Sequence, residues 1–365
     1  MKPLHGKRIL VTGGTGSLGK TLVKRLLTGE MGFPSKIIIF SRDEAKQFFM
    51  RLEFQKLRAA TDDLVYRDFE QILDFRIGDV RDSGSVASVL RAADVVINAA
   101  AMKQVPTCEY FPYEAVRTNV NGAENIVRAI QEHTLLVETV VGVSTDKACK
   151  PVNAMGMTKA IQERIFIQAN MRCPGTRFVC VRYGNVLASR GSVVPFFQDQ
   201  IRQGGPVTIT TPDMTRFLLS LDSAVDTVFA AIRTGFPGEI YVPHAPSARV
   251  VDIAAALIGG RPIEQVVTGI RPGEKIHEAL VSEDEAVRTV ERGRWYAIRP
   301  MLAEISGRLE QTGCLSREYS SGDHVMTPEE TAALMKSNGL LLPDGELVGA
   351  PGPAFAMQLQ PELLR

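Results

Sequence analysis

Cysteine pairs, long apolar runs and an excess of charge of one sign are all missing from this 365-residue chain. Its five cysteines, Cys108, Cys149, Cys173, Cys180 and Cys314, form no CxxC pair and no metal-ligand spacing. An odd, scattered set suits a reducing compartment and argues against a disulfide framework. No apolar run approaches the roughly 20 residues that a membrane helix needs. The 42 Lys and Arg against 41 Asp and Glu leave a formal net charge of +1, without the basic excess or stripe of a nucleic-acid binder. No internal repeat is present, and the short polar Met1–Arg8 segment does not read as a signal peptide. A cytoplasmic protein with no metal and no nucleic-acid or membrane partner is expected.

What is present is material for a large core, with 45% hydrophobic and 23% charged residues. Short β-branched runs occur at Arg8–Thr12, Lys36–Phe40, Phe75–Ile77, Asp94–Asn98, Val137–Val143 and Arg177–Val181. Amphipathic stretches lie between them, for example Leu22, Val23, Leu26 and Leu27 on one face and Val86 to Leu90 on another. Such alternation with continuous apolar strands predicts an α/β fold, a doubly wound parallel sheet covered by helices on both faces. After about Asn185 the alternation weakens and Pro and Gly punctuate the chain. The expected organisation is a Rossmann-type domain over 1–185, to which later segments can return. A smaller substrate-binding lobe, mainly 186–335, and a Pro- and Gly-rich tail over 336–365 follow.

The first strand runs into Gly13-Gly14-Thr15-Gly16-Ser17-Leu18-Gly19, with an amphipathic helix behind it. Between a strand and a helix, such glycines permit a tight turn and close backbone approach. The helix N-terminus then offers free N–H groups to a pyrophosphate. At the second strand's tip, where an acid would hold the 2′-hydroxyl of NAD, stand Ser41, Arg42 and Lys46, which suit the extra phosphate of NADP. Asp43 and Glu44 lie just beyond, so NAD is the less favoured alternative. Asp79, in Gly78-Asp79-Val80, is expected against the adenine amine. Ala99, Ala100 and Ala101 end the fourth strand with small side chains that let a cofactor lie close.

Val137–Val143 leads into Ser144-Thr145-Asp146-Lys147, and Met155 and Lys159 follow at a spacing of about one helical turn. Beyond them stand Asn153-Ala154-Met155-Gly156, Arg182-Tyr183-Gly184-Asn185, Ala188-Ser189-Arg190-Gly191-Ser192-Val193-Val194-Pro195, Met214-Thr215-Arg216-Phe217 and Arg271-Pro272-Gly273-Glu274-Lys275-Ile276-His277-Glu278. From about Arg8 to Met335 the chain resembles the extended short-chain dehydrogenases/reductases. Within them it is most similar to the polysaccharide-biosynthesis 4,6-dehydratases acting on UDP-N-acetylglucosamine with inversion at C5. The wider family uses Tyr-x-x-x-Lys, and here Met155 stands at the Tyr position. A thioether has no titratable proton. The inverting branch is known for Met at this position, so Met155 argues for membership rather than inactivity.

The resemblance implies that Asp146 is the acid for the C6 hydroxyl and Lys147 the base at C5, beside Thr145. Lys147 would then need a depressed pKa. It also implies Lys159 on the nicotinamide ribose, and Asn185, Ser192, Val193, Val194 and Pro195 around the UDP end. Thr210, Arg216, Arg271 and the neighbouring Glu274 are implied near diphosphate or uracil, with Arg216 bracing a loop as the alternative. For the base at the C4 hydroxyl two substitutes stay open, Lys147 acting again or a Cys108 thiolate. Lys103 is a candidate substrate or catalytic contact. Asn119 reads as architectural, and His277 and Glu278 as loop anchors. A homo-oligomer is expected. Two other functions remain open: a UDP-hexosamine 4-epimerase, and a non-catalytic NADP-binding sensor or scaffold.

Overall fold

The computed structural model describes residues 2–60, 69–187, 189, 191–306 and 313–343. Its first six strands are β1 (Arg8–Thr12), β2 (Lys36–Ser41), β3 (Leu73–Ile77), β4 (Val95–Asn98), β5 (Thr139–Thr145) and β6 (Arg177–Tyr183). They lie parallel in the order β3-β2-β1-β4-β5-β6. Side chains alternate across the sheet, as the pleat requires. Ile9, Val11, Ile37 and Ile39 enter the core under helix Ser17–Leu27. Leu10, Ile38, Val96 and Val140 enter the opposite core, with Ile126, Ile130 and Phe166. Both faces are thus dry, which explains why these strands read as unbroken apolar runs.

Two strands begin or end differently from their apolar runs. β3 starts at Leu73 rather than Phe75, since Ile37 pairs with Leu73. β5 lies two residues later than Val137–Val143 because its ladder with β6 continues to Thr145 opposite Tyr183. Backbone pairing therefore carries the polar Ser144 and Thr145 to the strand's carboxyl end.

The remaining strands are β7 (Asn185–Val186), β8 (Val207–Ile209), β9 (Thr215–Leu219), β10 (Ile240–Pro243), β11 (Ser247–Arg249), β12 (Gln265–Val267), β13 (Ala279–Val281), β14 (Thr289–Arg292), β15 (Trp295–Ile298) and β16 (Tyr319–Ser320). β10 returns to the large sheet parallel to β6, and the β14–β15 hairpin closes that edge antiparallel. The other strands form small sheets; β13 and β16 pack on the second core through Leu280, Val281 and Tyr319, whereas β8, β9 and β11 feed a third core that includes Phe197, Ile209, Leu218, Ile253 and Leu257. Residues 336–343, expected as the start of the tail, belong to this body. Pro328–Ser337 is one helix with a Thr327–Glu330 capping box, and Leu340 and Leu342 are buried beside Met335. Residues 344–365, and Ala188 and Arg190 of the expected nucleotide segment, lie outside the described residues. Among the described residues no helix is long and apolar enough to cross a membrane.

Candidate active site

The strand order reverses between β2-β1 and β4-β5, and a crevice for a ligand opens at such a switch point, beyond the strands' carboxyl ends. Gly13 has φ of +64° there, and a Cβ on it would lie 2.8 Å from the Ala100 amide nitrogen and 2.9 Å from the Ala99 carbonyl carbon. A Cβ on Gly19 would sit 2.5 Å from the Gly14 carbonyl oxygen. Gly16 begins helix Ser17–Leu27 with no side chain capping the first N–H groups, which leaves donors for an anion. Thr12 Oγ1 donates to Asn98 Oδ1 at 2.7 Å and accepts from the Ala100 N–H at 3.2 Å, tying β1 to the alanine run. This cradle fits a dinucleotide. Gly19→Ala is expected to weaken cofactor binding about 5- to 150-fold, because overpacking against backbone costs about 1–3 kcal/mol. Fluorescence titration with NADPH checks this.

At the tip of β2, Ser41 Oγ accepts from Gln47 Nε2 at 3.1 Å. Lys46 pairs with Asp43 at 2.6 Å, and Arg42 extends as an exposed side chain to within 3.6 Å of Asp79. Asp79 also pairs with Arg81 at 2.7 Å. Partial burial pushes the Asp79 carboxyl up, but Arg81 and Arg42 outweigh it and hold it below its ordinary value. Asp79 thus carries arginine partners on the side where the adenine amine is expected. Val80 is buried, and its carbonyl accepts from Asn125 Nδ2 at 2.9 Å.

The chemistry-bearing groups gather at the carboxyl end of β5. The chain turns through Asp146–Ala148. Asp146 is fully buried, with Oδ1 accepting from Thr145 Oγ1 and Lys147 Nζ, each at 3.0 Å, and Oδ2 without a partner among the described residues. Two glycines of the resemblance motifs close around this pair. A Cβ on Gly156 would collide with the Lys147 carbonyl oxygen, and one on Gly184 would lie 3.2 Å from Asp146 Oδ2. Asn153 caps helix Ala154–Arg172 by accepting from the Gly156 N–H at 2.8 Å and donates to the Gly273 carbonyl at 2.9 Å. The Arg271–Glu278 segment is thereby fastened to the catalytic helix.

Lys147 Nζ also lies 3.2 Å from Glu278 Oε1. Burial pushes the Lys147 pKa down, and Arg216 adds to that, but Asp146 and Glu278 outweigh both and raise it. The expected depressed pKa is therefore corrected: two carboxylates hold the proton on Lys147. Glu278, expected as a loop anchor, faces the candidate base. Sequence spacing carried no signal for this, beyond an acid that precedes an apolar strand.

Met155 is buried with Cys108 and Ala115, and Met102, Val105 and Ala154 pack around them. Burial, and then Glu109, push the Cys108 thiol up to about 11. Fully buried in this apolar cluster, Cys108 is placed as packing material, and its burial works against the thiolate that a base at the C4 hydroxyl needs. Lys159 is buried, and Nζ donates to the Val143 carbonyl at 2.5 Å and Gln162 Oε1 at 2.6 Å. Burial lowers its pKa to about 8. Two of its three ammonium donors are thus engaged, by β5 and by its own helix, and one is left for a ligand. Lys103 is exposed after β4 with no hydrogen-bond or ion-pair partner among the described residues, and desolvation by its surroundings lowers its pKa. Asn119 is architectural, clasping Met102 through both amide atoms at 2.9 Å and donating to Thr158.

Of the expected nucleotide contacts, Asn185 lies in β7, and Ser192 opens helix Val193–Arg202, where Val194 is buried and Val193 and Pro195 are partly covered. Ser192 Oγ is buried without a partner among the described residues, a hydroxyl available to a ligand. Thr210 Oγ1 lies 3.4 Å from Glu274, and Arg271 is exposed. Arg216 is buried and donates to the carbonyls of Thr215 at 2.7 Å and Ile276 at 3.1 Å, so it braces the loop that carries Glu278. His277 Nδ1 lies 2.9 Å from Thr215 Oγ1.

Fold and site together define a Rossmann-type, extended short-chain dehydrogenase/reductase. The chain belongs to the polysaccharide biosynthesis protein family, which matches residues 9–300. It is 43% identical over 301 residues to the UDP-N-acetylglucosamine 4,6-dehydratase (inverting) of Campylobacter jejuni, covering 82% of this chain and 84% of that protein. It is 44% identical to a UDP-glucose 4-epimerase of Rickettsia conorii, covering 80% of this chain and 82% of that one. Among solved structures, Pen from Bacillus thuringiensis superposes with a TM-score of 0.82 at 31% identity, covering 93% of this chain and 99% of Pen.

Proposed function

We propose that this protein is a UDP-N-acetylglucosamine 4,6-dehydratase that inverts C5 and yields a UDP-4-keto-6-deoxy amino sugar for polysaccharide, capsule or O-antigen synthesis. The observation that carries the reading is the buried Asp146–Lys147 pair at the end of β5, where a proton donor and a proton acceptor stand together beside the cofactor crevice. Gly13, Gly16 and Gly19, with Ser17, Leu18 and the Ala99–Ala101 run, would hold the dinucleotide. When bound, it would accept hydride from the sugar C4, whose hydroxyl proton Lys147 would take and release to solvent, and would return the hydride to C6 while C5 regains a proton from solvent on the opposite face. Lys147, as the free amine left when its proton passes across the 3.0 Å contact to Asp146, removes the C5 proton acidified by the neighbouring ketone. Asp146, as the acid, gives a proton to the departing C6 hydroxyl. Ser192, Asn185 and Arg271 receive the nucleotide end, the last through the planar fork that suits phosphate.

Incubation with UDP-N-acetylglucosamine in deuterated water, followed by NMR, is expected to show a 4-keto-6-deoxy product with one deuteron at an inverted C5. A 4-epimer that keeps its C6 hydroxyl would install the epimerase reading favoured by the Rickettsia relatives. Tight NADP binding without turnover of any UDP-sugar would install the non-catalytic one.

NADP over NAD is part of the same proposal, supported by Arg42 and Lys46 at the tip of β2. Arg42→Ala with Lys46→Ala is expected to weaken NADP binding about 10²- to 10⁴-fold, since each charge-assisted hydrogen bond is worth about 1.5–3 kcal/mol. NAD affinity stays within about threefold. Calorimetric titration with both dinucleotides checks it, and equal losses for both would sink the NADP preference. Self-association is also proposed, supported by the exposed Tyr110, Phe111 and Tyr113 near the exposed Met157 and Ile161. The cytoplasm is the proposed location.

A further inference from the structure

Glu278 has a geometry that loop anchoring does not explain. It ends the Arg271–Glu278 segment and enters β13, yet only 2% of it is exposed. Ser321 clamps its backbone from both sides: the Glu278 N–H donates to Ser321 Oγ at 2.9 Å, and the Ser321 N–H donates to the Glu278 carbonyl at 2.8 Å. Its Oε1 reaches Lys147 Nζ at 3.2 Å, whereas Oε2 is buried with no hydrogen-bond partner among the described residues. Lys275 Nζ is 3.9 Å from Oε2. A carboxylate this deep is costly unless a cation compensates it, and Lys147 is the cation in contact.

The same geometry answers a problem of Lys147 itself. Its ammonium rides on a flexible four-carbon stem, and the carboxylate beside it in sequence, Asp146, draws it back along its own turn at 3.0 Å. A second carboxylate, delivered by the lobe, draws it the other way. Arg216 and Lys275 are the opposing cations on that side, and Arg216 braces the loop through the Ile276 carbonyl.

We propose that Glu278 is a positioning residue for Lys147: clamped by Ser321, it fixes Nζ from the lobe side and sets, jointly with Asp146, when that amine carries its proton. The proposal rests on the reading of Lys147 as the C5 base. Docking of the Arg271–Glu278 segment then assembles the base, so the lobe that receives the nucleotide also arms the sugar-side chemistry.

The test uses the full chain with Glu278→Gln, which keeps shape and removes charge. Glu278→Asp keeps charge at a longer reach, and Glu283→Gln, at an exposed partner of Lys150, is the control. Lysine 13Cε NMR, with Lys147 assigned through Lys147→Arg, follows its titration without any turnover. An opposite charge at this range shifts a pKa by about one to three units. With one carboxylate removed, the Lys147 midpoint is expected to fall by that amount in Glu278→Gln, by less in Glu278→Asp, and not at all in Glu283→Gln. With UDP-N-acetylglucosamine, kcat is expected to fall about 10- to 100-fold in Glu278→Gln while KM stays within about threefold. The rising limb of kcat against pH should move to lower pH, because the free amine forms earlier. A Lys147 titration in Glu278→Gln that superposes on the parent overturns the proposal. If Glu278→Gln fails to fold, an unshifted midpoint in Glu278→Asp overturns it equally. A shifted titration in a parent protein that never dehydrates the sugar leaves the pairing standing and sinks the dehydratase reading instead.

Discussion

Lys147→Ala is expected to lower the rate of 4-keto-6-deoxy product formation by about 10²–10⁴, the range a positioned general base supplies, and to abolish deuterium uptake at C5. Asp146→Asn should leave C5 exchange measurable while blocking loss of the C6 hydroxyl, because the neutral amide has no acidic proton to give. The pair separates the two proton transfers that a single rate conflates. Removing the Lys147 ammonium leaves Asp146 and Glu278 buried without the cation that both touch. Circular dichroism and cofactor titration therefore accompany the kinetics, and both should match the parent. If Lys147→Ala combined with Asp146→Ala converts the nucleotide sugar at the native rate, the mechanism is wrong.

The second large effect lies beneath the site. Arg182 on β6 is buried, and its guanidinium forks between Glu163 at 2.6 Å and Glu285 at 2.7 Å, with a further bond to the Leu280 carbonyl at 2.9 Å. Ser144 Oγ donates to Glu163 Oε1 at 2.5 Å. This network joins β5, β6, the catalytic helix and the capping box at Ser282–Glu285, so it seats the lobe on the strands that carry Asp146 and Lys147. Arg182→Met leaves two buried carboxylates without their cation and is expected to cost about 3–5 kcal/mol, read as a lowered urea midpoint. An unchanged midpoint would show that the network carries no stability.

The same network dictates an acid response. Burial pushes the Glu285 carboxyl up, but Arg182 outweighs it and sets the value to about 2, against 4.5 for the free group. A group whose pKa is depressed on folding stabilises above its unfolded value, and that contribution, about 3 kcal/mol here, disappears as pH falls from about 4.5 through about 2. Urea midpoints of the parent should drop steeply across this window. In Arg182→Met the drop should be shallower, since the depressing charge is gone.

Much of this protein is legible residue by residue. The β-branched runs of β1, β2, β4 and β6 announce buried parallel strands, because a strand covered on both faces has no polar side to show. The Gly13–Gly19 loop declares its use through spacing alone, and the contacts that a Cβ would meet at Gly13 and Gly19 give the reason. Other features do not lie in the local sequence. The carboxyl end of β5 was displaced by pairing with β6, and Leu340 and Leu342 lie in a Pro- and Gly-rich stretch that reads as loose, yet they fill a core. Cys108 reads as a candidate base or as filler until its neighbours are known.

The sequence by itself determined the doubly wound sheet, the dinucleotide cradle and the adjacency of Asp146 and Lys147, since each depends on periodicity or short spacing. Only the tertiary structure decided which carboxylates meet Lys147, the apolar surroundings of Cys108 and the placement of Glu278. A proton's affinity is set by burial and by charges a few ångströms away, and those charges arrive on elements far apart along the chain.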